Sequence, residues 1–165
     1  MTGTEAWPRG VQRVAAALAA LGHAHAPILL DISARTAQEA ADALGVAVGQ
    51  IAKSIIFRRK DDDAAVLVIT SGDRRVDEKK VARLVGKIGR ADADFVKRQT
   101  GFSIGGVSPL AHAQAPVVLI DELLFRFDVI WAAAGHPRAV FKLRPQDLCG
   151  LTVAAQVADV VKDAG

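Results

Sequence analysis

Few residues in this sequence are placed to do chemistry. Lys53 sits inside the apolar run Ile51 to Phe57, and a cation in such a run must snorkel to water, pair with an anion or face a cleft. Gly105-Gly106-Val107-Ser108-Pro109 is the second feature, because two glycines allow backbone angles closed to other residues and Pro109 freezes the exit. Such a loop can offer backbone N–H and C=O groups to a substrate, or it can be a plain tight turn. Of the four histidines, His23 and His25 alternate with alanines, have no acid or thiol at ligand spacing and read as surface residues. His112, in a loop after Pro109, reads the same way, and His136 occupies the Gly135-His136-Pro137 turn. Cys149 has no neighbouring basic group in sequence and reads as a small hydrophobe rather than a nucleophile. The triplet Asp61-Asp62-Asp63 reads as a solvated hairpin turn, since three successive residues do not converge easily on one cation. G-x-S-x-G, a P-loop, H-E-x-x-H and Cys-x-x-Cys are all absent.

The elements that must position these residues are readable from periodicity and capping. Val11, Val14, Ala15, Leu18 and Leu21 recur at helical spacing with Gly22 as the stop. Thr36-Ala37-Gln38-Glu39 has the form of a capping box opening a helix that ends at Gly45. Strands are expected from Ile51 to Phe57 and from Ala65 to Thr70, the second an uninterrupted apolar run of the fully buried type. Asp77 and Asp92 suit the N-caps of helices running to Val85 and to Thr100. Strands follow at Val117 to Asp121, Val129 to Ala133 and Ala139 to Leu143, with a helical turn at Glu122 to Phe125. A closing amphipathic helix is expected over Val153 to Val161. Grouped strands with helices inserted among them predict an α+β domain around a strongly curved mixed sheet.

Composition bounds the rest. The chain has 165 residues, 51% apolar and 24% charged, which predicts one ordinary domain over residues 1–165. A chain of this length needs no staples to fold. A single cysteine excludes an intrachain disulfide and fits a reducing compartment, so cytoplasm is the expected location. The first ten residues, with Glu5, Trp7, Pro8 and Arg9, lack a basic-then-apolar signal pattern, and no uncharged run is long enough to span a bilayer. The net charge of +3 hides a local excess: from Arg74 to Arg98 nine basic residues face four acidic ones. That stretch suits a polyanionic partner or a solvated helix face.

Several ordered segments resemble the YbaK/ProX family, stand-alone relatives of the editing domain of bacterial prolyl-tRNA synthetases. They are T-A-Q-E-A-A-D-A-L-G from Thr36, Q-I-A-K-S-I-I-F with its lysine, S-G-D-R-R-V-D, T-G-F-S-I-G-G-V-S-P and V-L-I-D before the last hairpin. The resemblance runs from about Thr36 to Asp159 and implies a curved, barrel-like mixed sheet. It also implies metal-free, cofactor-free hydrolysis of the ester of mischarged tRNA, without a covalent nucleophile. On that resemblance Lys53 matches the active-site lysine that holds the 3′-terminal phosphate or ribose. Gly105, Gly106, Val107, Ser108 and Pro109 match the G-x-x-x-P loop, whose backbone positions the attacking water and the aminoacyl carbonyl with help from the substrate's ribose hydroxyl. Asp121 matches an acid that serves as a substrate contact or a structural cap. Phe57, Ile104, Gly135 and His136 are the expected substrate-pocket residues, with Ile28, Leu29 and Phe102 as further walls.

Arg74, Arg75, Lys79, Lys80 and Lys87 are expected along the tRNA acceptor stem, giving salt-sensitive binding that does not depend on sequence. The implied partners are the acceptor end of tRNA and a synthetase on which the protein docks, with no membrane or DNA partner. The implied substrates carry Ala, Ser or Thr in preference to Cys. Two alternatives stand beside this reading: a non-catalytic tRNA- or synthetase-binding module, and a hydrolase of other small acyl esters.

Overall fold

A computed structural model describes residues 7–163; Glu5 and the rest of residues 1–6, and residues 164–165, lie outside the described residues. The first helix, α1 (Arg9–Ala20), buries Val11, Val14 and Leu18 and ends where Gly22 takes a left-handed conformation. β1 (Ile28–Leu29) is a two-residue strand that the sequence pattern did not announce. In α2 (Ala37–Leu44) the Thr36 hydroxyl accepts from the Glu39 amide, and Glu39 in turn accepts from the Arg35 amide and the Thr36 hydroxyl. A 3-10 turn at Val48–Gln50 leads into β2 (Ile51–Arg59) and then β3 (Ala65–Ser71). Two of the three acids between them are taken up by neighbours, Arg58 pairing with Asp63 and Arg59 with Asp62, each at 2.8 Å. Next come α3 (Glu78–Val85), β4 (Ile88–Arg90) and α4 (Ala93–Thr100), with Asp77 and Asp92 accepting from first-turn amides as caps. β5 (Val117–Asp121), a 3-10 turn at Glu122–Arg126, β6 (Ile130–Ala133) and β7 (Ala139–Leu143) follow.

The C-terminal segment departs from expectation. In place of a helix over Val153 to Val161 there is a short helix, α5 (Asp147–Leu151), and an edge strand, β8 (Gln156–Ala158). Ala154 at φ 52° breaks any continuous helix, and β8 pairs in parallel with the otherwise open side of β5. A valine-rich segment of this kind suits a pleated surface as readily as a helix, so a free sheet edge decides.

The eight strands among the described residues form one mixed sheet in the order β1-β7-β6-β2-β3-β5-β8, with β4 beside β2. A mixed sheet with helices inserted among its strands is the α+β class expected, and among the described residues its path is open rather than closed. β3 lies inside the sheet between β2 and β5, and all seven of its residues are buried. Leu67 and Ile69 point into a core with α1, Val96, Phe102, Val118, Ile120 and Phe141. On the opposite face Val66 and Val68 meet Val81 of α3, Leu119, Val160 and Val161. Full burial of each such side chain stabilises the fold by roughly 1.5–3 kcal/mol.

One feature of the sheet prepares the site. β2 pairs with β6 only at Ile51 and Ala52 and with β4 only from Phe57 to Arg59. Between these pairings the β2 edge at residues 53–56 has no strand beside it among the described residues.

Candidate active site

A cleft of about 610 Å³ opens at this gap. One wall is β2 from Ile51 to Ile55, including Lys53. The facing wall is Trp131, Ala132 and Ala133 of β6 with Ala139 and Val140 of β7. Gly105, Val107, His136 and Pro137 close one side and residues 34–38 with Gly72 another. The volume falls in the ~300–1,000 Å³ range usual for small-ligand sites. Lys53, Gly105 and Val107 of the loop, and His136, far apart in sequence, therefore share one cleft, whereas Gly106, Ser108, Pro109 and Gly135, expected in the site, do not line it.

Lys53 is half-buried and its Nζ donates to the Arg74 carbonyl at 3.1 Å. Partial burial, then the nearby charge of Arg75, push its ammonium below the ordinary lysine value, while Asp73 pulls it back up. A partly desolvated cation beside a second cation favours an anionic ligand. Asp73 is itself held by Arg126, whose Nη2 lies 3.0 Å from Oδ1 and 2.8 Å from the Ser71 hydroxyl. Burial opposes ionisation of Asp73, but the bonds from Arg126 and the charges of Arg126 and Arg74 keep its carboxyl below the usual range. Ser71 donates to the Gly49 carbonyl, and its amide donates to Asp121. Gly72 has no room for a side chain, since a Cβ there would run into the Val48 carbonyl. Ser71 to Arg74 thus form a rigid corner that carries the backbone acceptor of Lys53. Asp73 and Arg126 were not singled out in the sequence; the S-G-D-R-R segment was the signal available for Asp73, and nothing local marks Arg126 as its partner.

The loop is braced from inside. Ser108 and Pro109 are buried; the Ser108 hydroxyl accepts from the Leu110 amide at 3.2 Å. His112 is half-buried rather than on the surface, because its Nε2 reaches back 2.6 Å to the Ser108 carbonyl. A carbonyl only accepts, so Nε2 carries the proton, and the buried Nδ1 has no partner among the described residues. Burial pushes the His112 ring below its ordinary pKa; the bond to Ser108 opposes this and Arg13 adds to it. Gly106 donates its amide to Ser103 at 3.2 Å, and a Cβ there would lie 2.8 Å from the His136 backbone. The amides of Gly105 and Val107 make no hydrogen bond among the described residues. On the adjoining turn, the Arg138 amide donates to His136 Nδ1 at 3.1 Å, which places the proton of the neutral ring on Nε2. Gly135, at φ 91°, lies against the backbone of Gly10 so closely that neither position accommodates a Cβ.

Other expected site residues lie elsewhere. Phe57 shares the β2 face of Lys53 by alternation, but four residues span about 13 Å of strand, and it packs with the α3 cluster. Asp121 is fully buried and accepts from the Ser71 and Leu123 amides, the geometry of a structural cap. Phe102 is in the core, Ile28 and Leu29 are exposed on edge strand β1, and Ile104 is exposed beside the cleft rather than lining it. Among the basic residues, Arg75, Lys79 and Lys87 are exposed and Arg74 is half-buried. Lys80 is held by Asp159 at 2.9 Å, Asp163 at 3.3 Å and the Val161 carbonyl at 2.8 Å. His23 is half-buried against the Lys142 carbonyl and Cys149 is exposed. No helix among the described residues is long and apolar enough to cross a membrane.

Comparison with known proteins adds to this geometry. Residues 32–151 match the model of the aminoacyl-tRNA editing domain. The chain is 34% identical over 134 residues to the uncharacterized protein YwhH of Bacillus subtilis (strain 168), covering 81% of this chain and 85% of that protein. It is 29% identical over 92 residues to a proline–tRNA ligase of Thermoanaerobacter sp. (strain X514), covering 53% of this chain but 16% of the ligase. The fold superimposes with a TM-score of 0.89 and 40% identity on the crystal structure of a proposed trans-editing enzyme for prolyl-tRNA synthetase, covering 96% of this chain and all of that one (100%).

Proposed function

The chain belongs to the aminoacyl-tRNA editing domain family, and from that premise we propose that it acts in trans as a deacylase on tRNA mischarged with Ala, Ser or Thr, in preference to Cys. The observation that carries this reading is the convergence of Lys53, the Gly105–Pro109 loop and His136 on one cleft. Hydrolysis of an activated ester needs orientation and a donor for the developing oxyanion more than it needs a nucleophilic side chain. In this reading Lys53 supplies the cation for the 3′-terminal phosphate or ribose. Loop amides such as those of Gly105 and Val107 orient the carbonyl and the attacking water, with the substrate's own ribose hydroxyl assisting. His136 offers an Nε2–H donor toward the aminoacyl group.

Trp131 stands with Ala132, Ala133, Ala139 and Val140 along one cleft wall, so a bulky ring and small side chains together bound the space for the aminoacyl group. One methylene is worth only about 1–3 kcal/mol of selectivity, so such a pocket selects by excluding what is too large. Arg75, Lys79 and Lys87 are the exposed cations suited to the acceptor stem. Lys80, spent on Asp159 and Asp163, is better placed to fasten the C-terminal segment to α3. A synthetase that releases the mischarged tRNA is the expected docking partner.

The test is hydrolysis of tRNAs charged with Ala, Ser, Thr, Cys and Pro by the native protein and by Lys53→Ala. The expected result is rapid release of one or two small amino acids, reduced about 10²-fold or more in the variant. tRNA binding with no hydrolysis above the buffer rate would overturn the reading in favour of a binding module. Lys79→Ala should reduce the salt dependence of tRNA binding by a slope of about 1, while Lys80→Ala should leave it nearly unchanged.

A further inference from the structure

We propose that Arg13 on α1 is a positioning residue that holds the Gly105–Pro109 loop in its working shape, an inference that rests on the deacylase reading above. α1 precedes the stretch that matches the editing-domain model, which begins at residue 32. Even so, one stripe of this helix, Gly10, Arg13 and Ala17 at three- and four-residue spacing, is turned toward the site. Gly10 abuts the Gly135 backbone beside His136, and Ala17 packs on the main core. Between them Arg13 reaches the two ends of the loop. Its Nη2 donates to the Thr100 carbonyl at 2.5 Å, and Nη2 and Nε donate to the Ala111 carbonyl at 2.6 and 2.9 Å. The guanidinium also lies over the Phe102 ring, 4.2 Å from its centroid, and fills the space where a Cβ on Gly101 would go.

The backbone ties the base of this loop through Ala113 to Thr100 and Gln114 to Gln99, at 3.0 and 2.9 Å. Arg13 extends that tie inward to Ala111, a non-glycine residue at φ 64°. A left-handed alanine persists only where its surroundings hold it, and the two bonds to its carbonyl are such a hold. Only a planar fork can serve both carbonyls while stacking on Phe102; an ammonium cannot. Because Arg13 is itself an exposed residue, its removal should act on the loop rather than on the fold.

Hydrogen exchange by mass spectrometry and steady-state deacylation, on Arg13→Met, Arg13→Lys and the same-helix control Arg9→Met, test this. In Arg13→Met, exchange across residues 101–112 should accelerate about tenfold with the rest of the chain unchanged. kcat should fall about tenfold or more with KM moving less than about threefold, as expected when alignment rather than binding is lost. Arg13→Lys should fall between the two, and Arg9→Met should match the native protein in both readouts. Unchanged exchange in residues 101–112 overturns the proposal. So does faster exchange with undiminished kcat, or a kcat loss in Arg13→Met that Arg9→Met reproduces. Should the native protein hydrolyse no aminoacyl-tRNA, the deacylase reading falls, and the clamp is judged on exchange alone.

Discussion

In β3 all seven residues are buried between two flanking strands, with β2 along its whole length and β5 from Val66 to Ile69. In the loop that follows α4, Gly106 to Leu110 are equally buried, and Val107 and Leu110 pack into the main core, yet these residues belong to no strand or helix whose ladder would pair their backbone. The strand satisfies its backbone through ladders, and its stability is spread over many apolar contacts. The loop relies on a few named groups: the Ser108 hydroxyl, the His112 ring, the guanidinium of Arg13 and the close fit of Gly106 to the His136 backbone. A distributed core tolerates the loss of any one contact with a graded cost. A loop held by single polar groups loses its shape when one of them goes, and its shape is what the proposed chemistry uses.

That contrast can be broken most sharply by truncating the strand. Leu67→Ala should cost about 2–5 kcal/mol of stability in a denaturant titration while leaving deacylation per folded molecule unchanged. A rate loss at full folding would mean that the core and the site are not separable. Gly106→Ala should do the reverse. Its Cβ would lie 2.8 Å from the His136 backbone, and a displacement near 1 Å can cost about 10²-fold in rate. Turnover should fall far more than the melting temperature does.

Asp121→Ala probes the boundary between the two regions. It leaves the Ser71 and Leu123 amides unpaired, at about 1–3 kcal/mol for a buried donor without its acceptor. The loss should appear in stability first, and in kcat only through the corner that carries Lys53.

The smallest effect is the pH response of His112. Its folded-state pKa lies below the ordinary value of 6.5, so the unfolded chain binds the proton more readily than the folded one. The stability tied to the neutral ring is complete above about pH 6.5 and is lost as the pH falls from there toward the lower folded value. His112→Gln should flatten that part of the stability–pH curve, as read by thermal melts across acid pH. An unchanged curve would show that the ring does not carry the brace.

The sequence was most legible where the physics is local. The Thr36, Asp77 and Asp92 caps, the stop at Gly22 and the apolar run of β3 all depend on residues within a few positions of one another, and the structure places elements there. It was least legible at sheet edges. Val153 to Val161 carries apolar residues that fit either period, and the vacant side of β5 draws Gln156–Ala158 into the sheet. His112 looked like a surface residue because nothing near it in sequence tells that its ring folds back onto Ser108.

The same division runs through the site. By residue type and order alone, the chain marks Lys53, the Gly105–Pro109 loop and the His136 turn, because a cation in an apolar run and paired glycines are conspicuous in any context. Only the tertiary structure decides that these three meet. The gap along β2 arises from where β6 and β4 stop pairing with it, and pairing registers are set between distant strands rather than within one. Phe57 and Asp121 part from the cleft for the same reason, one by distance along its strand and the other by becoming the acceptor for two amides. Arg13, Asp73 and Arg126 act through partners far away in the chain, at Ala111 for the first and at one another for the pair. Hydrogen bonds of that range leave no local pattern, so the groups that brace this site are the ones the linear sequence could not announce.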